Sequence, residues 1–345
     1  MHKPTNVYIG ITTRCNMRCR HCRIWARPWH PSYQPLFMKI YNRLERMMPP
    51  GLLRKSQRKE LSQKEWMDIL IDLKHWLGPY NVSFSGGEPF MREDMVDIIY
   101  FCHENGIRPI VNTNATLLTP QIISALSGLQ SLTLNISLDG ITPRMHDYLR
   151  GVPCTYQKVM EALRRFADPA RQCSIGILTV LMGYNCDEIL NIVKFFREER
   201  LADSISFQAL DNASGLLYDN AWFHKNDLWP KDETRDKLIG IIEELISLKK
   251  NGVNIWNPVD QLRKMQKYFI NPNEDVSDKC ASAKNNFILN PWGEVALCWS
   301  MRPIAPYCRK PEVIWESDVA EKMRKILAGC RRTCKLLNCN FNQDL

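Results

Sequence analysis

The chain has 345 residues, 45% of them apolar and 24% charged, a globular composition with room for a large core. No run of about 18 uncharged apolar residues occurs, and the opening Met1-His2-Lys3-Pro4-Thr5 lacks a signal-peptide layout, so a cytoplasmic protein is expected and a transmembrane one is not. Net charge is +9, but residues 23–60 alone hold nine Lys/Arg against two Asp/Glu; the remainder is nearly neutral, which argues against a nucleic-acid face over the whole protein.

Thirteen cysteines are many for a cytosolic chain, where metal or redox chemistry is favoured over structural disulfides. Residues Val7 to Thr12 read as a buried strand. Directly after it come Cys15, Cys19 and Cys22, spaced C-x3-C-x2-C. Three thiolates so close can converge on an iron–sulfur cluster, zinc or copper(I). On a four-iron cluster they leave one iron open, as a catalytic metal site requires. The alternative is a closed zinc site, for which His30 is a candidate fourth ligand.

Residues 24–60 follow, basic and aromatic. Phe37, Ile40, Tyr41, Leu44, Met47 and Met48 fall on one helical face, and Pro49-Pro50-Gly51 stops the pattern. The segment reads as a helix packed on the flank. Its functional options are a contact with a membrane surface or a partner protein, or a substrate lid.

From residue 62 strand and helix signals alternate. Ser62-Gln63-Lys64-Glu65 is a capping box opening a helix to about Trp76. A strand over 81–85 leads to a helix over 93–104, and a strand over 108–112 to a helix over 120–126 with Thr119 as N-cap. Strand 132–138 precedes a helix from about 156 to 166, strand 173–181 a helix over 187–199, and strand 204–208 ends the series. Six such units predict an α/β chain with a parallel sheet, arranged as a partial barrel. Chemistry then gathers at the C-terminal strand ends. The polar residues there are Gly86, Gly87 and Glu88 after the second strand, Asn114 after the third, Ser137 and Asp139 after the fourth, and Asn185 after the fifth. Arg150 lies just beyond the fourth. Residues 211–279 read as a linker with helices over 231–250 and 259–268 and a short strand at 253–256.

Together the triad, with His21 before its third cysteine, and the turn Gly86-Gly87-Glu88-Pro89 resemble the radical S-adenosylmethionine (SAM) superfamily. That resemblance implies a partial (βα)6 TIM-like barrel over about residues 1–210. It implies a [4Fe–4S] cluster on Cys15, Cys19 and Cys22, and SAM held by Glu88 at the methionine amino group. Ser137 and Asp139 resemble ribose- and carboxylate-proximal positions, Arg150 one that meets the SAM carboxylate, and Asn185 one near adenine. His21, Gly86, Gly87 and Asn114 complete the expected cofactor-binding set.

The last third carries Cys280, Cys298, Cys330, Cys334 and Cys339. Cys280 and Cys298 flank a hairpin signal at Asn290-Pro291-Trp292-Gly293. The pattern C-x12-G-x4-C resembles the opening of SPASM and twitch auxiliary domains. This implies a small cysteine-rich domain over 280–345 with one auxiliary [4Fe–4S] cluster held by four of the five cysteines, a closed zinc site being the alternative. Relatives that modify peptides place an Asp after the second cysteine; here Trp299-Ser300 stand instead. The expected function is reductive SAM cleavage and hydrogen abstraction from a substrate, with a peptide or protein first, a small alcohol or sugar-like metabolite second and a lipid third. A flavodoxin- or ferredoxin-like electron donor is implied. A zinc-binding interaction protein is the alternative from another class. Cys102, Cys154, Cys173, Cys186 and Cys308 read as small buried hydrophobes.

Overall fold

The computed structural model describes residues 2–22, 24, 59–212, 221–273 and 281–330. Six strands, β1 (Asn6–Thr12), β2 (Asn81–Gly86), β3 (Arg108–Thr113), β4 (Thr133–Ser137), β5 (Ser174–Leu181) and β6 (Ser204–Ala209), lie side by side in chain order. Each neighbouring pair is parallel. Helices α1 (Gln63–Leu77), α2 (Met95–Glu104), α3 (Pro120–Ser127), α4 (Pro143–Arg150), α5 (Thr155–Phe166) and α6 (Cys186–Glu199) occupy the crossovers. This is the partial barrel expected, an open sheet with two edges.

Strand alternation explains the layering. Ile9, Ile11, Val82, Phe84, Val111, Leu134, Ile136 and Ile177 are at most 0% exposed and share one core with the helices. The intervening residues, Tyr8, Ser83, Asn112, Asn135 and Ser206, face the other way and stay half-buried. Helix starts follow their caps. The Ser62 capping box closes in both directions, and the Thr119 side chain accepts from Ile122 N. Helix α4 was not expected: its residues are mostly polar, and it buries just His146, Leu149 and Arg150. Thr142 caps it, Pro143 occupies its first turn, and Gly151 ends it in the left-handed region.

Beyond β6, α7 (Asp232–Lys250) packs on α6 and on α8 (Val259–Ile270). Two expectations need correction here. The stretch read as a linker contains the buried Trp222, Phe223 and Trp229, whose rings pack together and, through Trp229, on Tyr268 and Phe269. The short strand at 253–256 is reduced to one parallel bridge, Ile255 to Ile205.

The C-terminal hairpin forms as its turn predicts. After α9 (Ser282–Asn285), β7 (Asn286–Leu289) and β8 (Glu294–Ala296) pair antiparallel, and Asn290 Oδ1 accepts from Trp292 N and Glu294 N. Strand β7 also pairs parallel with β1, so the hairpin and β9 (Ala305–Pro306) extend the barrel's own sheet. Two further helices, α10 (Pro311–Trp315) and α11 (Asp318–Ala328), follow. Trp315 of α10 is buried against Trp76 and Phe287.

Candidate active site

The cysteine loop leaves the C-terminal end of β1 and is pinned at four places. At its start Thr12 Oγ1 and Thr13 N both donate to Glu60, each at 2.8 Å. From β2, Gly87 N donates to Thr12 O and Glu88 N to Arg14 O, both at 2.8 Å. This approach depends on the paired glycines: a Cβ on Gly86 would lie 2.4 Å from Thr12 O, and one on Gly87 2.0 Å from Arg14 O. From β3, Asn114 Nδ2 donates to Asn16 Oδ1 at 2.9 Å, and Asn16 Nδ2 to Thr116 Oγ1 at 2.8 Å. From α4, the carbonyls of Arg150 and Leu149 accept from Arg18 N and Arg20 N at 3.0 and 2.9 Å.

Glu88 is 1% exposed. Its carboxylate accepts from Thr113 Oγ1 (2.7 Å), Asn114 N (2.7 Å) and Phe90 N (3.2 Å). Burial pushes its proton affinity up to about 7 against the pull of these donors. Asp139, fully buried, sits beside Arg150 with Oδ2 2.8 Å from Nη2 and 3.9 Å from His21 Nδ1. Burial alone would raise this carboxyl, but Arg150, His21 and the Val180 N–H hold it below the ordinary aspartate range. Arg150 Nη1 also reaches Cys19 Sγ at 3.8 Å. The guanidinium therefore bridges the β4 end to the cysteine loop.

The donor set fits a cationic metal–sulfur group. Burial pushes the Cys15 thiol up to about 12 and the Cys19 thiol up to about 11, the Arg150 charge opposing the latter. A bound cationic centre supplies the charge that releases such protons. His21 Nδ1 and Arg150 Nε are buried beside the loop without a hydrogen bond among the described residues. No three His, Cys, Asp or Glu side chains among those residues gather closely enough for one metal ion. A four-iron cluster takes each thiolate on a different iron and needs no such convergence.

The other expected residues fall as follows. Ser137 ends β4, half-buried. Asn185 is fully buried, and its amide is taken by backbone: Oδ1 accepts from Met182 N, and Nδ2 donates to Asp139 O and Val180 O. It fastens the β5 loop to the β4 loop. Asn114 likewise ties β3 to the cysteine loop. Cys298 follows β8 half-buried, with Trp299 laid over Gly10 of β1, and Cys330 follows α11. Cys280, Cys334 and Cys339 lie outside the described residues, as does nearly all of the basic segment 24–60. Of the cysteines expected to be buried, Cys102, Cys173 and Cys186 are; Cys154 and Cys308 are exposed, a correction.

Sequence reasoning missed the supporting residues. Glu60 anchors the loop's start, Asn16 its middle, and His146 Nδ1 accepts from Asp139 N at 3.3 Å. Glu188 of α6 accepts from Ile141 N at 2.5 Å and Thr142 N at 3.1 Å, holding the loop that carries Asp139. Glu60, Asn16 and Glu188 are single polar residues whose partners lie 46 to 100 residues away, and His146 is one polar residue in a polar helix, so no local pattern marks them.

The Radical SAM superfamily profile matches residues 9–196, and the chain belongs to that family. It is 26% identical over 199 residues to an Fe-coproporphyrin III synthase of Methanosarcina barkeri, covering 58% of this chain and 42% of that one. It is 23% identical over 252 residues to a PqqA peptide cyclase of Bradyrhizobium diazoefficiens, covering 73% and 57%. Its fold matches Streptococcus suis SuiB bound to precursor peptide SuiA with a TM-score of 0.65, at 16% identity over 94% of this chain and 67% of that one. The matched stretch spans about half the length of these curated relatives. Family membership implies a [4Fe–4S] cluster and SAM. No helix among the described residues is long and apolar enough to cross a membrane.

Proposed function

We propose that this chain cleaves SAM reductively and uses the resulting radical to modify a peptide, with an auxiliary [4Fe–4S] cluster on four of its C-terminal cysteines. The observation that carries the reading is the cysteine loop held simultaneously by the Gly86-Gly87-Glu88 turn and by Arg150. Cys15, Cys19 and Cys22 would hold the first cluster, and Glu88 would accept from the SAM amino group. Bound there, the cluster and SAM would together supply one-electron reductive cleavage of the sulfonium C–S bond and, from it, hydrogen abstraction from the substrate. Arg150 keeps a fixed positive charge beside Cys19, favouring its thiolate. Glu188 fixes the loop that carries Asp139 by accepting from Ile141 N and Thr142 N, and so keeps the Asp139–Arg150 pair in place beside the cysteine loop. The peptide cyclase relative supports the choice of substrate. A flavodoxin- or ferredoxin-like protein would supply the electron, and the auxiliary cluster would accept the second electron released as the substrate, after losing its hydrogen atom, is oxidised.

Iron and sulfide are measured after anaerobic reconstitution of the wild type and of the triple variant Cys15→Ala, Cys19→Ala, Cys22→Ala. The expected result is about eight irons falling to about four, with SAM cleavage lost in the variant. Four irons falling to none would remove the auxiliary cluster from the reading. Zinc without iron in both would overturn the radical reading.

A further inference from the structure

The face of the sheet turned away from the helices is not a packed core. Small barrels usually fill this space with layers of Val, Ile and Leu. Here, past the exposed Arg108 at the foot of β3, no inward position of β1–β6 carries a charge, and most carry an amide or a hydroxyl. Tyr8, Ser83, Asn112, Asn135, Ser204 and Ser206 among them are half-buried. One row is continuous. Asn135 Nδ2 donates to Asn112 Oδ1 at 2.9 Å, and Asn112 Nδ2 donates to Ser83 Oγ at 3.4 Å. In the register Asn135 is followed by Gly176 and then Ser204. A Cβ on Gly176 would sit 2.6 Å from Asn135 Oδ1 and 3.3 Å from Ser204 Oγ, so the glycine leaves that carbonyl open. Each amide has two N–H donors and an oxygen with two lone pairs. After the row's own bonds, both asparagines keep a second N–H, and Asn135 keeps its oxygen.

The β1 end of the same surface is aromatic. The Trp299 indole lies over Gly10, 3.5 Å from where a Cβ would be, and 6.4 Å from the Tyr8 ring. It is 43% exposed. Gly10 is in register with Ser85, and Tyr8 with Ser83, the last member of the amide row. An indole platform thus meets a neutral amide floor. At about 4.8 Å per strand, β1 to β4 spans about 14 Å along the sheet, the reach of about four extended residues.

From this surface we infer a substrate subsite for an uncharged stretch of peptide, its main-chain amides on Asn112 and Asn135 and an apolar side chain on Trp299. The inference rests on the proposed peptide substrate and narrows it. Past Arg108, carboxylate-rich molecules such as coproporphyrin III find no cation among the described inward residues of β1–β6, and leaving their charges unpaired there is unfavourable.

The test uses the full reconstituted chain with SAM, immobilised and exposed to a synthetic pool of random decapeptides. Retained peptides are sequenced by mass spectrometry. The expected set carries one aromatic or aliphatic residue with Asp, Glu, Lys and Arg depleted within about four positions of it. Trp299→Ala should lose the apolar enrichment, and Asn135→Leu should lower retention about tenfold, the loss of about one amide hydrogen bond. Trp299 is exposed, so its variant tests the subsite even where Asn135→Leu fails to hold iron. Retention of nothing, a set with the pool's composition or rich in charge, unchanged sets in both variants, or displacement by coproporphyrin III would each overturn the inference. Dithionite-driven SAM cleavage by the wild type, measured separately, tells failure of the radical reading from failure of this subsite.

Discussion

Glu88 is pulled two ways. Burial raises its carboxyl to about 7, while Thr113 and the N–H groups of Asn114 and Phe90 favour the anion. Raised above its unfolded value, Glu88 contributes stability that is fully present below about 4.5 and is lost as pH rises through about 7. An amino group donating to the carboxylate reverses this preference, because charge-assisted hydrogen bonds contribute about 1.5–3 kcal/mol. SAM should therefore bind more tightly as pH rises through about 7. Glu88→Gln should bind about 10- to 100-fold more weakly at pH 8 and lose the dependence. Calorimetric titration with SAM from pH 6 to 8 measures both; a wild-type affinity flat across that range would remove Glu88 from the site.

Among the elements, α4 does more than cross from β4 to α5. Its last carbonyls hold the cysteine loop, and its terminal Gly151 has φ +68° with a would-be Cβ 2.3 Å from Arg18 O. Gly78, ending α1, has φ +84° and nothing within 4 Å. An alanine at either position is forced to a positive φ, left-handed at Gly151 and with ψ −155° at Gly78, at about 1–3 kcal/mol. The pair separates backbone strain from displacement of the loop. Gly78→Ala should lower the thermal midpoint and keep the wild-type iron content. Gly151→Ala should lower the midpoint further and lose the iron of the first cluster. Equal iron in the two would show that the loop stands without its α4 anchor. The cysteine spacing and Gly-Gly-Glu turn were legible because they are local. Helix α4 was not, because its stability comes from capping and from three buried residues rather than from an apolar stripe. The ion pair of Arg150 with Asp139, and its reach to Cys19, joins residues that no pattern links.

At the scale of the molecule, the six βα units could be read from the alternation of periods, since each is closed by neighbours in sequence. The pairing of β7 with β1 could not: Asn6 Nδ2 donates to Asn286 Oδ1 across 280 residues, and β7 reads as any hairpin strand does. Sequence reading therefore set the C-terminal cysteine segment apart, while the sheet runs on into it. Through β7 the β1 edge is covered, and an open edge beside the cysteine loop is avoided. Phe287 lies at this seam, fully buried, in register with Val7 and edge-on to Trp76 at 5.8 Å. Removing such a ring costs about 3–5 kcal/mol. If the hairpin and the barrel fold as one unit, Phe287→Ala should shift a single denaturant transition to lower midpoint with its slope unchanged. If they fold separately, an early transition should split off while the barrel's midpoint stays in place. Circular dichroism followed through a urea titration distinguishes the two by the number of transitions. The shared Trp76–Phe287–Trp315 cluster, which draws α1, β7 and α10 into one contact, favours the single transition.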